Sequence, residues 1–321
     1  MTWIVGIDEA GYGPNLGPLV MTSVACRLPD SLAGADLWKL LEPAVRRSEE
    51  PPDGRFVVGD SKEVYTPARG LRDLETSVLG ILPFFKENAQ PSLSRFGEWL
   101  CPPSLIELQS EHWYTGTTSL PVEAESVDFL EANLAFKGCS QDRQMAWGTY
   151  RSVVVCAKRF NQLLKQWKTK GAVLGLAFGE LLQVNLLPDE NGEAIHFVVD
   201  KHGGRNFYVP MVQDAVSNGF VIAHEESMQR SVYSIVGLER EIRLTFQPRA
   251  DAEHFCVALA SMISKYFREI LMREFNRFWQ GQVPGLKPTA GYPGDSVRFY
   301  RAIKSAAQKL AIGKEALWRR K

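Results

Sequence analysis

Two carboxylates, Asp8 and Glu9, stand side by side at the end of the apolar run Trp3-Ile4-Val5-Gly6-Ile7, and Ala10-Gly11-Tyr12-Gly13-Pro14 follows them. Adjacent charges at the mouth of a buried strand are costly unless a cation compensates them. Hard divalent ions such as Mg²⁺ take carboxylate oxygens, so these residues set an expectation of metal-assisted chemistry. Two further acids occupy comparable places. Asp200 ends the apolar run Ala194-Ile195-His196-Phe197-Val198-Val199, and Asp251 opens a long helical pattern, where it reads as the cap. Each has a structural explanation when taken alone: a cap, a strand-end turn, a solvated pair. Adjacent strands would bring Asp8 and Asp200 to one sheet edge. Glu9 joins them only if the chain bends, because successive strand residues face opposite sides.

The elements that must position these acids follow from the apolar pattern. Residues 3–8 and 18–26 read as strands joined by a glycine-rich turn, and Phe56-Val57-Val58-Gly59 reads as a third, ending in Asp60-Ser61-Lys62. A helix starts near Thr66-Pro67, a reasonable start signal. Helical patterns cover about 123–137, 141–168 and 172–187. Strands follow at 194–199, 220–224 and 241–246, then a strong helix over 252–279 and a last one over 296–312. This order argues for a mixed sheet with helices packed on it, and the block 83–190 reads as an insertion or helical subdomain. On the strong helix, Asp251, His254, Ala258, Ser261, Lys265 and Arg268 form a polar or small-residue stripe opposite an apolar face. Lys265 and Arg268 would then lie beside the acids, placed for a phosphate.

Composition excludes several classes. Among 321 residues, Lys+Arg and Asp+Glu both number 37, so no basic field covers the whole protein and nucleic-acid affinity must come from local patches. Five scattered cysteines without a C-x-x-C pair support neither a zinc ribbon nor a disulfide framework and fit a reducing, cytoplasmic setting. The first strand begins too close to Met1 for a signal peptide, and no apolar run reaches membrane-spanning length. The loop Gly11-Tyr12-Gly13-Pro14-Asn15-Leu16-Gly17 is not a dinucleotide fingerprint, because Pro14 lacks an N–H and a strand, not a helix, follows. It is either a structural hairpin loop or a loop whose backbone approaches a nucleic acid.

In five motifs taken in order, the chain resembles type 2 ribonuclease H, ribonucleases HII and HIII. Gly6-Ile7-Asp8-Glu9-Ala10-Gly11-Tyr12-Gly13-Pro14 matches the family's opening D-E-A-G-R-G-P except at the arginine, and Asp60-Ser61-Lys62 matches D-S-K. Val198-Val199-Asp200-Lys201 matches V-D-G in part. Asp251 precedes Ala258-Leu259-Ala260-Ser261-Met262-Ile263-Ser264-Lys265 as the fourth acid precedes A-A-S-I-x-A-K, and Gly291-Tyr292 resembles the later G-Y.

The resemblance implies an α/β, RNase H-like fold: a five-stranded mixed sheet flanked by helices, with a mainly helical insertion. Residues 1–82 and 191–295 would form the catalytic core, 83–190 the insertion, and 296–321 a basic C-terminal helix and tail. It implies a metal-dependent endonuclease that hydrolyses the RNA strand of RNA/DNA hybrids or cuts at ribonucleotides embedded in DNA. Asp8, Glu9, Asp200 and Asp251 would hold two Mg²⁺ or Mn²⁺ ions about 4 Å apart. Lys62, Ser261 and Lys265 would meet phosphates, Tyr292 would stack on a sugar or base, and Gly11 and Gly13 would approach the ribose 2′-OH.

The departures are specific. Tyr12 replaces the arginine that contacts the RNA–DNA junction, and a neutral ring cannot give a bidentate phosphate contact. Lys201-His202 replaces the glycine after the third acid, with His202 either a proton-transfer group or incidental. Arg298, Arg301 and Lys304 share one helical side, and Lys309, Lys314, Arg319, Arg320 and Lys321 continue the bias, as a backbone-contacting arm or a solvated tail. Two other readings remain open: a catalytically silent binder of hybrid or structured nucleic acid, and a DNA-directed junction nuclease on the same fold.

Overall fold

The structure, a computed structural model, describes residues 1–86, 91–186 and 192–320. Its strands in chain order are β1 (Thr2–Ala10), β2 (Leu19–Leu28), β3 (Val45–Arg46), β4 (Phe56–Val57), β5 (Ala146–Val155), β6 (Ala194–Asp200), β7 (Phe220–Glu226), β8 (Ser231–Val236) and β9 (Ile242–Gln247). Seven of them make one mixed sheet in the order β5-β2-β1-β6-β9-β8-β7, and β3 with β4 forms a separate two-stranded pair. The five-stranded expectation is therefore corrected to seven among the described residues. The extra strands are β5, which reads as helix in the sequence, and β8, a short alternating run.

β1 pairs antiparallel to β2 and parallel to β6, with Ile7 opposite Val199. One step further, the same register sets Asp8 beside Asp200 at the carboxyl end of two parallel central strands. These strands are covered on both faces, as parallel strands are. On one face lie Val5 and Ile7 with Phe178 and Leu182 of the helix Lys170–Asn185; on the other lies the long helix Phe255–Gln282. Gly6 faces that helix, and a Cβ there would run into the backbone of Cys256 and Val257. The missing side chain lets the first turn of the long helix rest on β1, directly above the two residues that precede Glu9.

The helix expected over 252–279 is broken. Ala250–Glu253 forms one short turn, His254 interrupts with extended backbone, and the helix proper begins at Phe255. Asp251 thus lies inside a first turn and is not the cap; Arg249, in left-handed conformation at φ 56°, holds the cap position. The long helix is also buried nearly all round. Ala258, Ser261 and Arg268 of the expected polar stripe are 0%, 4% and 1% exposed.

The block 83–190 does not stand apart from this body. β5 is an edge strand of the main sheet, against β2. Phe96 packs edge-on against Tyr266 and Phe267 of the long helix. Two buried carboxylates anchor the connecting segment. Glu75 accepts from the N–H groups of Val122, Glu123 and Ala124 at 2.6–2.8 Å and from Tyr266 Oη at 2.8 Å. Glu274 accepts from the N–H groups of Thr115 and Gly116 and from the hydroxyls of Thr115 and Thr118. A carboxylate that takes several donors replaces its lost hydration, which is why each tolerates burial. The block holds helices, and it also shares the sheet and the core.

Gly6→Ala tests the contact between strand and helix. The added methyl meets backbone, which has little freedom to shift, so urea unfolding should report a loss of roughly 1–3 kcal/mol.

Candidate active site

Asp8, Glu9, Asp200 and Asp251 line one cleft of about 630 Å³, together with Asp60, Ser61, Lys62, Ser261, Arg47 and Arg249. Three separate stretches supply the four acids. Asp8 and Glu9 end β1, Asp200 ends β6, and Asp251 lies in the short turn after β9. β1 runs straight through Glu9 to Ala10, and the bend comes only at Gly11. Glu9 therefore reaches the cleft from the opposite side of its strand, and its carboxyl still feels both Asp8 and Asp200.

The electrostatics follow from crowding like charges under protein. Burial pushes the Asp8 carboxyl well above its ordinary range, Glu9 and Asp200 push it further, and a hydrogen bond from Ser261 opposes them. Burial, then Asp200, raises Glu9 to about 7. Asp200 is raised by burial and by Asp251, against the N–H of Ala250, which donates to Asp200 Oδ1 at 2.9 Å. Asp251 is raised by burial and by Asp60. Lys62 lowers Glu9, Asp200 and Asp251 together, so its ammonium is the cation common to the cleft. Among the described residues, no three His, Cys, Asp or Glu side chains are drawn close enough to hold an ion as they stand. The acids share a cleft and repel each other within it.

Their donors are nonetheless those a hard ion needs. The ligating groups in the cleft are carboxylate and serine hydroxyl oxygens, with the Ser61 and Ser261 hydroxyls 3.2 Å apart. Carboxylate oxygens without nitrogen or sulfur suit Mg²⁺ and Mn²⁺ and disfavour zinc or copper. The long helix braces this set, because Ser264 Oγ donates to the Asp8 carbonyl at 3.1 Å and bonds the Thr22 hydroxyl at 2.8 Å.

The expected substrate residues divide into two groups. Lys62 and Ser261 are in the cleft. Gly11, Tyr12 and Gly13 form the loop beside it, with Gly11 at φ +90°, where a Cβ would also collide with Arg268 and the Pro18 carbonyl. Tyr292, 49% exposed, stands next to Gly13. The Tyr12 hydroxyl is held above its ordinary pKa by burial and by the Glu9 charge.

Lys265 and Arg268 do not line the cleft. Lys265 is bound to Glu269 at 2.8 Å, its ammonium lying 4.7 Å over the Tyr65 ring. Arg268 is buried and donates to the carbonyls of Leu16, Pro18 and Ala290. His202 is buried among Phe178, Tyr208 and Phe246, and burial holds its pKa down to about 3, which removes it as a proton carrier near neutrality. The C-terminal arm is corrected in part. Arg319 is fully buried, Arg298 pairs with Asp295, and Arg320 pairs with Glu315. Arg47 and Arg249 line the cleft without having been singled out in the sequence; Arg249 immediately precedes the Ala-Asp that carries the fourth acid, the one signal that marked it.

No family model and no curated protein matches the chain. Solved structures similar to it are ribonucleases of the H2, HII and HIII kinds. Ribonuclease H2 from Pyrococcus horikoshii OT3 overlaps with a TM-score of 0.48 at 14% identity, covering 98% of this chain and 92% of that one. RNase HII in its PCNA complex from Archaeoglobus fulgidus gives 0.45 at 14% identity, with 98% and 92% covered. Bst-RNase HIII in complex with Mn²⁺ gives 0.44 at 15% identity, with 99% of this chain and 66% of that chain covered. No helix among the described residues is long and apolar enough to cross a membrane.

The crowding sets a trade between stability and site. A buried carboxyl whose folded pKa is raised leaves stability intact below its unfolded value and loses it as pH rises. Asp8→Asn removes that charge, so in chelator at pH 8 it should raise Tm by about 2–4 °C, and the gain should shrink toward pH 4. Scanning fluorimetry at both pH values checks the sign.

Proposed function

We propose that the protein is a divalent-metal-dependent endoribonuclease that hydrolyses the RNA strand of RNA/DNA hybrids or cuts at ribonucleotides embedded in DNA. The observation that carries this reading is the gathering of four acids from three chain segments into one oxygen-lined cleft at the ends of two parallel strands. Asp8, Glu9, Asp200 and Asp251 would hold Mg²⁺ or Mn²⁺. The chemistry such ions supply when bound is activation of an attacking water and charge compensation at the leaving oxygen.

The chain's own residues do the rest. Lys62 offers an exposed ammonium at the cleft rim to a phosphate of the strand. Ser261 lines the cleft beside Asp8 and opposes the rise of its carboxyl pKa. The Ala250 N–H likewise opposes that rise for Asp200. Tyr292, exposed beside the glycine loop, presents a ring face to a sugar or base. Hybrid or ribonucleotide-containing DNA is thus the proposed partner, and the cytoplasm its proposed setting.

A cleavage assay in Mg²⁺ and in Mn²⁺ across an all-RNA/DNA hybrid, a DNA duplex with one ribonucleotide, and all-DNA tests this. We expect cutting of at least one ribonucleotide-containing substrate and none of DNA. Asp8→Asn and Asp200→Asn should each lower the rate by roughly 10²–10⁴-fold. Tight hybrid binding with no cleavage in either ion would establish a silent binder instead.

Lys62 has its own signature. Lys62→Ala should flatten the dependence of log affinity on log salt by about one unit, the loss of one phosphate contact. Filter binding at several salt concentrations measures it.

A further inference from the structure

The glycine loop between β1 and β2 is held from beneath by two buried guanidiniums. Arg268, from the long helix, takes the carbonyls of Leu16 and Pro18. Arg319 takes the carbonyls of Gly11, at 2.6 Å, and Pro14. The segment carrying Arg319 is knitted to the loop by its backbone as well. The Arg319 N–H donates to the Asn15 carbonyl at 2.8 Å, Asn15 Nδ2 donates to the Arg319 carbonyl at 3.2 Å, and Leu16 bridges Trp318. Asn161 fixes that segment in turn, donating to the carbonyls of Glu315 and Trp318 and accepting from the Arg320 N–H.

Two features of this arrangement exceed what holding a loop requires. First, the loop's carbonyls are turned inward, while among the described residues the N–H groups of Tyr12 and Gly13 have no protein acceptor. Those two N–H groups are left free to donate, next to Tyr292. Second, Arg319 is 0% exposed with no carboxylate partner among the described residues, and two of its nitrogens, Nε and Nη1, have no hydrogen-bond acceptor. A buried cation left uncompensated beside a second one is unfavourable, and burial together with Arg268 holds the Arg319 guanidinium down to about 9. The retained charge makes sense where an anionic backbone lies over the free donors.

We propose that Arg319 is a positioning residue for substrate: it fixes the glycine loop with its donors free and sets positive charge beneath them, for the sugar–phosphate backbone of the ribonucleotide-containing strand. This rests on the nuclease reading above and assigns the loop's geometry to a residue some 300 positions away in sequence. It also places a fixed cation under a loop in which Tyr12 supplies none.

The test uses the full chain without metal, so that binding is read apart from cleavage. Affinities for an RNA/DNA hybrid and for duplex DNA are measured by fluorescence anisotropy in EDTA, and amide exchange is followed at Asn15 and Leu16, whose N–H groups donate to the Gly291 carbonyl. Arg319→Gln should lower the hybrid-over-DNA affinity ratio about tenfold, within the roughly 100-fold that a 1 Å misplacement costs, and should speed exchange at both amides. Arg319→Lys, which keeps the charge and can still donate, should recover most of the ratio. Glu274→Gln, remote from the loop, controls for general loss of stability and should leave the ratio unchanged. If Arg319→Gln does not fold, Asn161→Ala, which loosens the same segment, takes its place with the same expectation.

A wild type that discriminates and an Arg319→Gln variant that discriminates equally well overturn the inference, even if exchange is faster. An equal loss in Glu274→Gln overturns it too. A wild type that binds hybrid no better than DNA in EDTA overturns the inference, while the nuclease reading is decided separately by the cleavage assay.

Discussion

Four carboxylates that repel one another are forced into one cleft, and the rest of the molecule is arranged around that repulsion. Nothing local would bring Asp8 to Asp200. Their approach is a consequence of β1 and β6 pairing in parallel with Ile7 opposite Val199, so the sheet's hydrogen bonds and its two buried faces supply the force that holds the acids together. The raised pKa values of Asp8, Glu9, Asp200 and Asp251 all name burial as the leading cause, with neighbouring acids behind it. Such a group is a liability to the fold and an asset to a site that takes up cations.

Rigid support is what makes that repulsion sustainable. The contact at Gly6 lets the long helix lie on β1, and from there Ser261 and Ser264 reach Asp8 by side chain and backbone. The same helix carries Glu274 and Tyr266, through which residues 115–124 are tied to the core. One element therefore braces the acids on one side and fastens the middle of the chain on the other.

Asp8, Glu9 and Asp200 are legible in the sequence because they stand where an apolar run stops, and Asp251 because it stands where a helical pattern opens. The elements between were read less well. Residues 146–155 continue a helical pattern from 141, but Thr149, Tyr150 and Val153 to Val155 are β-branched or aromatic, and pairing with β2 decides for strand. Ser231–Val236 mixes serines with β-branched and aromatic residues, and pairing with β7 and β9 makes it a strand. The larger misreading concerned cations. Lys265 and Arg268 share a polar or small-residue stripe with Asp251 in the sequence, and Arg319 lies in a basic stretch that reads there as an arm or a tail. Polarity in a sequence reports charge and not burial. Arg268 and Arg319 bury their guanidiniums by spending them on backbone carbonyls, a use that leaves no local pattern, since their partners lie about 250 and 300 residues away.

A balanced net charge thus conceals two opposed local fields. The cleft is acidic and has an affinity for cations; the glycine loop beside it is backed by two guanidiniums and favours anions. A nucleic acid is itself a polyanion with bound cations, and a strand lying across both regions would meet attraction from the loop directly and from the cleft only through the ions it shares. The phosphate backbone would be gripped at the loop whether or not metal is present, whereas the acids would admit it only once their own repulsion is neutralised. Such a division would separate recognition from chemistry within a few residues of chain, between Glu9 and Gly11, and would make binding in the absence of metal a physically sensible state of the protein.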